Sequence, residues 1–201
     1  TNPTVELFLA EISGLFVGDI RRRGKYLLFD LEGRLYRTLV IHLRMTGSLE
    51  VVGFGNRRPE YTRNVLIFNY DLELCFVDPR KLGTLSLTDG TDEKLSKLGP
   101  EPLSAELTPK VLAEQFSRRA VPVKALLCDQ SIIAGIGNIY ADEVLFKARI
   151  RPTKLGKELS VQENRRLYRA IVSSLNEAVE HLSMTVSNET TSSRKADDLH
   201  I

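Results

Sequence analysis

Two cysteines in 201 residues are too few for a disulfide framework. Cys75 and Cys128 both sit in apolar stretches, as reduced, buried thiols of a cytosolic protein do. They are also too few for a four-cysteine zinc site. No apolar run approaches the length of a membrane span. The opening residues, TNPTVELFLAEISG, hold no basic segment followed by an apolar one, so no secretory signal is read there. Internal repeats are missing too. Nor is there an excess of charge of one sign: 28 lysines and arginines stand against 26 aspartates and glutamates, a net of +2. That balance does not announce a nucleic-acid-binding chain and leaves only local clusters to consider.

What is present has two textures. Hydrophobic residues make up 42% of the chain, enough to bury a core in two modest domains or one large one. From about residue 14 to residue 88 the pattern is strand-like. Lys25–Leu31 is bounded by a turn at Glu32-Gly33, and Leu39–Leu43 follows. Val65–Tyr70 and Leu72–Val77 read as a hairpin about Asp71, with Thr84–Leu87 as a last strand. Short strands at regular spacing predict an antiparallel sandwich or barrel, and Gly53–Glu60 reads as a mobile loop. Residues 89–103 are polar and end in Gly99-Pro100-Glu101-Pro102, a domain boundary stiffened by proline. Beyond it the pattern is helical. Ser104–Phe116 is one helix, with Thr108-Pro109 a good start. Ser160-Val161-Gln162-Glu163 satisfies half the capping-box pattern. Leu167, Ile171, Leu175 and Val179 then carry a long amphipathic helix that ends near Leu182. Thr185–Ile201 is polar, without period, and reads as a loose tail.

Three basic clusters stand out: Arg21, Arg22, Arg23 and Lys25; Arg57, Arg58 and Arg63; Arg118, Arg119 and Lys124. Each is either a solvated surface or a phosphate contact. The stretch from Val123 to Pro152, VKALLCDQSIIAGIGNIYADEVLFKARIRP, reads as a helix, a glycine turn at Ala134-Gly135-Ile136-Gly137-Asn138, and a second helix from about Ile139 to Lys147. It is either an ordinary turn between packed helices or an anion site built from amino-terminal N–H groups and Asn138.

The wording of this stretch closely resembles the helix-two-turn-helix of the formamidopyrimidine-DNA glycosylase and endonuclease VIII family of base-excision repair enzymes. Four more segments match in the family's order: Arg22–Leu27 (RRGKYL), His42–Gly47 (HLRMTG), Asp78–Gly83 (DPRKLG) and Leu98–Leu103 (LGPEPL). The resemblance covers roughly residues 5 to 185. It implies an α+β fold: an incomplete antiparallel β-sandwich domain over 1–98, a linker at 99–103, and a helical helix-two-turn-helix domain over 104–185. Residues 186–201 are left as the tail. The two domains are expected to form a basic cleft for double-stranded DNA carrying oxidised bases or abasic sites. The expected protein is a monomer, with no membrane partner, located in the bacterial cytoplasm with the nucleoid.

Chemistry on a base within a duplex requires that the nucleotide be extruded, which calls for phosphate grips, a wedge and a contact to the orphaned base. Met45, slim and unbranched in a polar loop, fits the wedge, or else a core methionine at a strand end. The resemblance gives Arg80 the contact to the orphaned base and places Lys81 and Leu82 on the same DNA-binding loop. Leu82 stands where the formamidopyrimidine branch usually has phenylalanine, and it stacks less well. The resemblance further implies that Lys25 reaches the phosphates around the lesion and assists the lyase steps. Lys124 would lie near the damaged nucleotide, Glu143 at the active site, and His42 and Asn138 on phosphate. Each of these also has an ordinary reading as a surface or helix residue.

The chain departs from the family at both ends. The family's nucleophile is an amino-terminal proline, a secondary amine able to attack C1′ of deoxyribose, followed by a glutamate that transfers protons. This sequence begins at Thr1, Pro3 is not terminal and Glu6 follows no proline, so neither role is carried over. Residues 1–201 are expected to be inactive alone. Met184-Thr185-Val186 starts like the family's approach to its lesion-capping loop and zinc finger, but Ser187–Ile201 does not continue it. No cofactor is expected within this chain; zinc is expected only in a longer protein carrying the family's four-cysteine ribbon. The reading is a bifunctional DNA glycosylase and abasic-site lyase for 8-oxoguanine and formamidopyrimidines. A non-catalytic damage-binding paralogue and an endonuclease VIII-type enzyme for oxidised pyrimidines remain open. A helical RNA- or ribosome-binding module is disfavoured by the upstream matches.

Overall fold

The computed structural model describes residues 4–69 and 71–197, with side chains to residue 184. The chain divides into two compact units, Thr1–Ser96 and Lys97–Ile201.

The first unit opens with a short helix, α1 (Val5–Ile12), capped by the Thr4 hydroxyl, which accepts from the Leu7 N–H. Seven strands follow: β1 (Phe16–Arg23), β2 (Tyr26–Glu32), β3 (Arg37–His42), β4 (Ser48–Gly53), β5 (Thr62–Phe68), β6 (Leu72–Val77) and β7 (Thr84–Thr88). They form two antiparallel sheets, ordered β1-β2-β3-β7 and β4-β6-β5. The core lies between the sheets, where Phe29, Leu31, Leu39, Ile41, Phe76 and Leu87 pack together. The expected hairpin is β5-β6, with Phe68 opposite Leu72. Alternation does not mark β1, where six of the eight residues are exposed, and it is weak in the short β4. The segment expected to be a mobile loop is tied down. Phe54 donates its N–H to the Asp71 carbonyl, and Arg58 forms a two-pronged ion pair with the buried Glu73 at 2.6 Å. A one-turn helix, α2 (Glu93–Ser96), ends the unit.

The second unit is helical: α3 (Pro109–Ser117), α4 (Val123–Cys128), α5 (Asn138–Ala148) and α6 (Val161–Asp197), with a 3₁₀ turn at Gly156–Glu158. The helix expected from Ser104 begins only at Pro109, because Ser104–Leu107 close a turn of their own; Thr108-Pro109 is the start, with the Thr108 hydroxyl accepting from the Val111 N–H and proline in the first turn. The core gathers Leu112 and Phe116 from α3, Leu126 and Leu127 from α4, Val144 and Leu145 from α5, and Leu167 and Ile171 from α6. α5 stops at Arg149, which adopts the left-handed conformation (φ 52°) and donates its N–H back to Leu145 and Phe146.

The capping box at α6 is complete in both directions. Ser160 donates its N–H to Glu163 at 2.8 Å, and Glu163 returns its N–H to the Ser160 hydroxyl at 3.2 Å. α6 continues to Asp197, past Leu182 where the apolar period stops, although Thr, Ser, Val, Asn and Asp, none of them strong helix formers, predominate in its last stretch. The segment expected to be a loose tail is therefore helical to Asp197; residues 198–201 lie outside the described residues. At 37 residues this helix is ~55 Å long. No helix among the described residues is long and apolar enough to cross a membrane.

One glycine in the Leu98–Leu103 motif has a steric reason. A Cβ on Gly99 would lie 2.6 Å from the Ile132 backbone carbonyl and 2.8 Å from the Ser131 oxygen, with no side chain to move aside. Gly99→Ala is expected to destabilise the helical unit by on the order of 2 kcal/mol, measured by urea unfolding. An unchanged midpoint would contradict this.

Candidate nucleic-acid interface

In the first unit the predicted residues converge on two loops and one turn. The loop Leu43–Gly47 leads from β3 to β4, and Asp78–Gly83 leads from β6 to β7. Both therefore cross from one sheet to the other. They run side by side, since Ser48 pairs with Val77 at one end and His42 with Thr84 at the other.

Asp78 joins the two loops. It is only 1% exposed. Its Oδ1 accepts the Thr46 hydroxyl at 2.9 Å and the Arg80 N–H at 3.3 Å, and its Oδ2 accepts the Gly83 N–H at 2.7 Å. These donors, the Gly83 amide foremost, outweigh burial and hold the carboxyl below the usual carboxylate range. The Asp78 carbonyl takes the Lys81 N–H at 3.3 Å and Arg63 Nε at 2.8 Å. Gly83 is required for closure, because a Cβ there would lie 2.3 Å from Cζ of the buried Phe76.

On this base Met45 stands 72% exposed, and Arg80 Nη1 lies 3.8 Å from its sulfur. Leu82 is also exposed, and Lys81 sits at the left-handed turn position (φ 56°). The core alternative for Met45 is thus overturned: the loop leaves it outside the buried cluster between the sheets.

His42 closes the end of β3 opposite Tyr26, the two rings meeting edge to face with centroids 4.6 Å apart. Its Nδ1 accepts the Arg44 N–H at 3.0 Å, which leaves the proton on Nε2. Burial first, then the charges of Arg44 and Lys25, push the imidazole pKa down. His42 is therefore a neutral N–H donor beside two cations. Lys25 is exposed in the β1–β2 turn next to Gly24 (φ 55°).

The second unit brings Lys124, Asn138 and Glu143 onto α4 and α5. Lys124 Nζ pairs with Asp142 at 2.8 Å, linking the two helices. Asn138 is the first residue of α5, after Gly137. The first backbone bond of that helix runs from the Ala141 N–H to the Gly137 carbonyl, so the N–H groups of Asn138, Ile139 and Tyr140 precede it. The Asn138 Oδ1 accepts the Cys128 thiol at 3.6 Å. Cys128 is half-buried rather than buried, unlike Cys75. Glu143 is exposed one residue beyond Asp142, beside a hollow of about 410 Å³ formed with Tyr140, Phe146 and Lys147. The amino end of α4 is no anion site: Val123 and Lys124 donate their N–H groups to the carbonyls of Lys154 and Pro152.

A family model described as the formamidopyrimidine-DNA glycosylase N-terminal domain matches residues 1–85. Another, described as the formamidopyrimidine-DNA glycosylase H2TH domain, matches residues 98–190. The formamidopyrimidine-DNA glycosylase of Herpetosiphon aurantiacus is 40% identical over 185 residues, covering 91% of this chain and 67% of that protein. The chain belongs to the formamidopyrimidine-DNA glycosylase family.

The relative from Symbiobacterium thermophilum is 44% identical, over 92% of this chain and 61% of its own length. The MutM (Fpg) protein of Thermus thermophilus superposes with a TM-score of 0.75 at 42% identity, covering 83% of this chain and 61% of that one. Lactococcus lactis formamidopyrimidine-DNA glycosylase, bound non-covalently to DNA containing an abasic site, gives 0.82 at 32% identity, covering 92% and 72%. The chain thus spans 61 to 67% of the length of these two curated relatives.

Within this family member the basic clusters turn out to be partly structural. Arg21 pairs with Asp30 at 2.5 Å, and Arg22 donates to the Gly24 carbonyl at 2.7 Å. Arg58 is held by Glu73, and Arg63 supports the carbonyls of Asp78 and Pro79. These internal partners give the four guanidinium groups a structural role that the sequence does not show. Two residues that shape the site carry no role in the sequence reading. One is Asp78. The other is Gln130, whose Nε2 donates to the carbonyls of Cys128 and Ile136 and whose Oε1 accepts the Gly135 N–H. Asp78 lies inside a matched motif, which is a signal for it; Gln130 has none beyond its place in the turn.

Proposed function

We propose that this chain is the DNA-engaging part of a repair glycosylase with abasic-site lyase activity, acting on oxidised purines in duplex DNA. The observation that carries the proposal is the exposed Met45–Arg80 pair raised on the buried Asp78. An apolar wedge beside a planar cation is what an extruded nucleotide calls for. Met45 fills the vacated stack, Arg80 pairs with the orphaned base edge, and Leu82 wedges beside them. Lys25, Lys81, the neutral His42 and the amino end of α5 at Asn138 bind phosphates. Lys124 and Glu143 act near the damaged nucleotide. Solved relatives support the substrate class: MutM was captured with DNA containing carbocyclic 8-oxoguanine, and the Lactococcus lactis protein with DNA containing a formamidopyrimidine.

The reaction begins when an amine attacks C1′. The C–N bond to the base breaks as the new one forms, and the base leaves with a proton; the C1′–O4′ bond then breaks, O4′ taking a proton, and the nitrogen lone pair closes the double bond to C1′. The resulting iminium ion loses the flanking phosphates by elimination. In the family the amine is that of an amino-terminal proline. The zinc ribbon of the family finds no donor set among the described residues, where no group of three or more His, Cys, Asp or Glu side chains could hold a metal ion. None of the roles above uses one.

Borohydride trapping on a duplex carrying 8-oxoguanine opposite cytosine tests the reading, with the protein's amino terminus sequenced first. A covalent adduct from a proline-initiated protein is the expected result. Tight, salt-sensitive binding without an adduct from such a protein would point instead to a damage-binding paralogue. Equal affinity for damaged and undamaged duplex would overturn both.

A further inference from the structure

We infer that Asp78, acting through Thr46, is a positioning residue for opposite-base discrimination. It clasps the wedge loop and the arginine loop into one body, so that Met45 and Arg80 enter a duplex at a fixed spacing. The inference rests on the proposed roles of those two side chains.

The topology gives the reason. The loops Leu43–Gly47 and Asp78–Gly83 are both crossings between the two sheets. A crossing is where one sheet can shift against the other, and a wedge and a base-reading cation on separate crossings would inherit that motion. A buried carboxylate is costly unless its lone pairs are met, and here they are met from both loops. Thr46 donates from one, Arg80 and Gly83 from the other. Hydrogen bonds to a charged acceptor are roughly twice as strong as neutral ones. Of these three donors only Thr46 comes from the wedge loop, and it sits immediately after Met45 in the chain. Gly47 then anchors the far side, its N–H bonded to the Leu43 carbonyl at 3.0 Å.

The substitutions separate clasp from fold. Thr46 is exposed, so Thr46→Val removes one hydroxyl and leaves the 78–83 turn with its own bonds. Thr46→Ser keeps the donor. Asp78→Ala removes both acceptor oxygens, so it loses the Thr46 bond together with the Arg80 and Gly83 bonds of its own turn, and the melting curve reports that second cost.

The experiment measures binding of the full chain to duplexes carrying a tetrahydrofuran abasic analogue opposite cytosine or adenine, alongside an undamaged duplex and a melting curve. In Thr46→Val the cytosine-over-adenine preference is expected to fall by about tenfold. The melting temperature should remain close to that of the parent, and Thr46→Ser should restore the preference. Asp78→Ala should lose the same preference, and the double variant should lose no more than the larger single effect. A parent-like preference in Thr46→Val overturns the clasp. So does a parent protein that binds the analogue without regard to the opposite base. A parent that fails to distinguish analogue from undamaged duplex sinks the proposed function itself, and the clasp with it.

Discussion

Replacing Glu163 with glutamine is expected to lower the stability of the helical unit by on the order of 3 kcal/mol at pH 7, and the deficit is expected to vanish in acid. Glu163 opens α6, where its carboxylate accepts the Lys154 ammonium at 2.7 and 2.9 Å and the Ser160 N–H at 2.8 Å. The ammonium contributes most, the Ser160 amide next, and the Ser160 hydroxyl less. Burial opposes them, and the carboxyl is held down from 4.5 to about 2. A carboxyl whose pKa is depressed by folding stabilises the native state fully above its unfolded value. That stabilisation is lost as pH falls from about 4.5 towards 2. Only 19% of the side chain is exposed, so solvent screening takes a modest share. Urea unfolding of the parent and Glu163→Gln at pH 7 and at pH 3 checks the sign. A gap that is wide at the higher pH and less than half as wide at the lower is expected; one independent of pH would mean that the cap geometry, not the charge, carries the effect.

Gln130→Glu is expected to damage both fold and binding. The Gln130 amide spans the turn between α4 and α5, giving two N–H bonds at 2.9 and 2.8 Å and accepting one at 2.9 Å. At roughly 1 kcal/mol for each bond, the three together hold the turn by about 3 kcal/mol. A carboxylate of the same size keeps the acceptor for Gly135 but turns the other oxygen against the carbonyls of Cys128 and Ile136. Two attractions become repulsions. Gly135 (φ 87°) cannot find another support without moving the start of α5. Affinity for a lesion duplex should fall at least tenfold, since Asn138 and the amides beside it are displaced together. Thermal melts and fluorescence titration measure the two losses. Normal binding by a destabilised variant would show that α5 holds its place without the turn.

How much of the fold is legible in the sequence depends on the range of the interaction. β2, β3 and β6 are visible because several consecutive residues are buried and read as short apolar runs, and β5 and β7 because their partly buried residues are mostly apolar or β-branched. β1 is not, because its side chains mostly stand in solvent and leave no hydrophobic period. α1 is short and begins at a threonine that no neighbouring pattern distinguishes. The end of α6 lies beyond its predicted place because amphipathic periodicity reports packing, not helicity, and the helix outlasts its packed face. Among the site residues, motif wording locates Met45, Arg80 and Asn138 but does not say what holds them. Thr46 and Asp78 are 32 positions apart, and Arg58 and Glu73 15. Such pairs exist only once the strands have registered, so arginines that look like phosphate contacts in the sequence are engaged elsewhere in the fold.

The internal pairing of cations has a kinetic consequence. Arg21, Arg37, Arg58, Lys124, Lys147 and Lys154 each have a carboxylate partner. On the proposed function, these six of the 28 lysines and arginines displace fewer counterions from intact DNA than they would unpaired, which lowers the salt slope of that non-specific binding. Residence on undamaged sequence is then brief. A protein that lets go quickly can sample many base pairs per second, and it lingers only where a weakened stack admits Met45. On the proposed function, the internal pairing of cations favours rapid search.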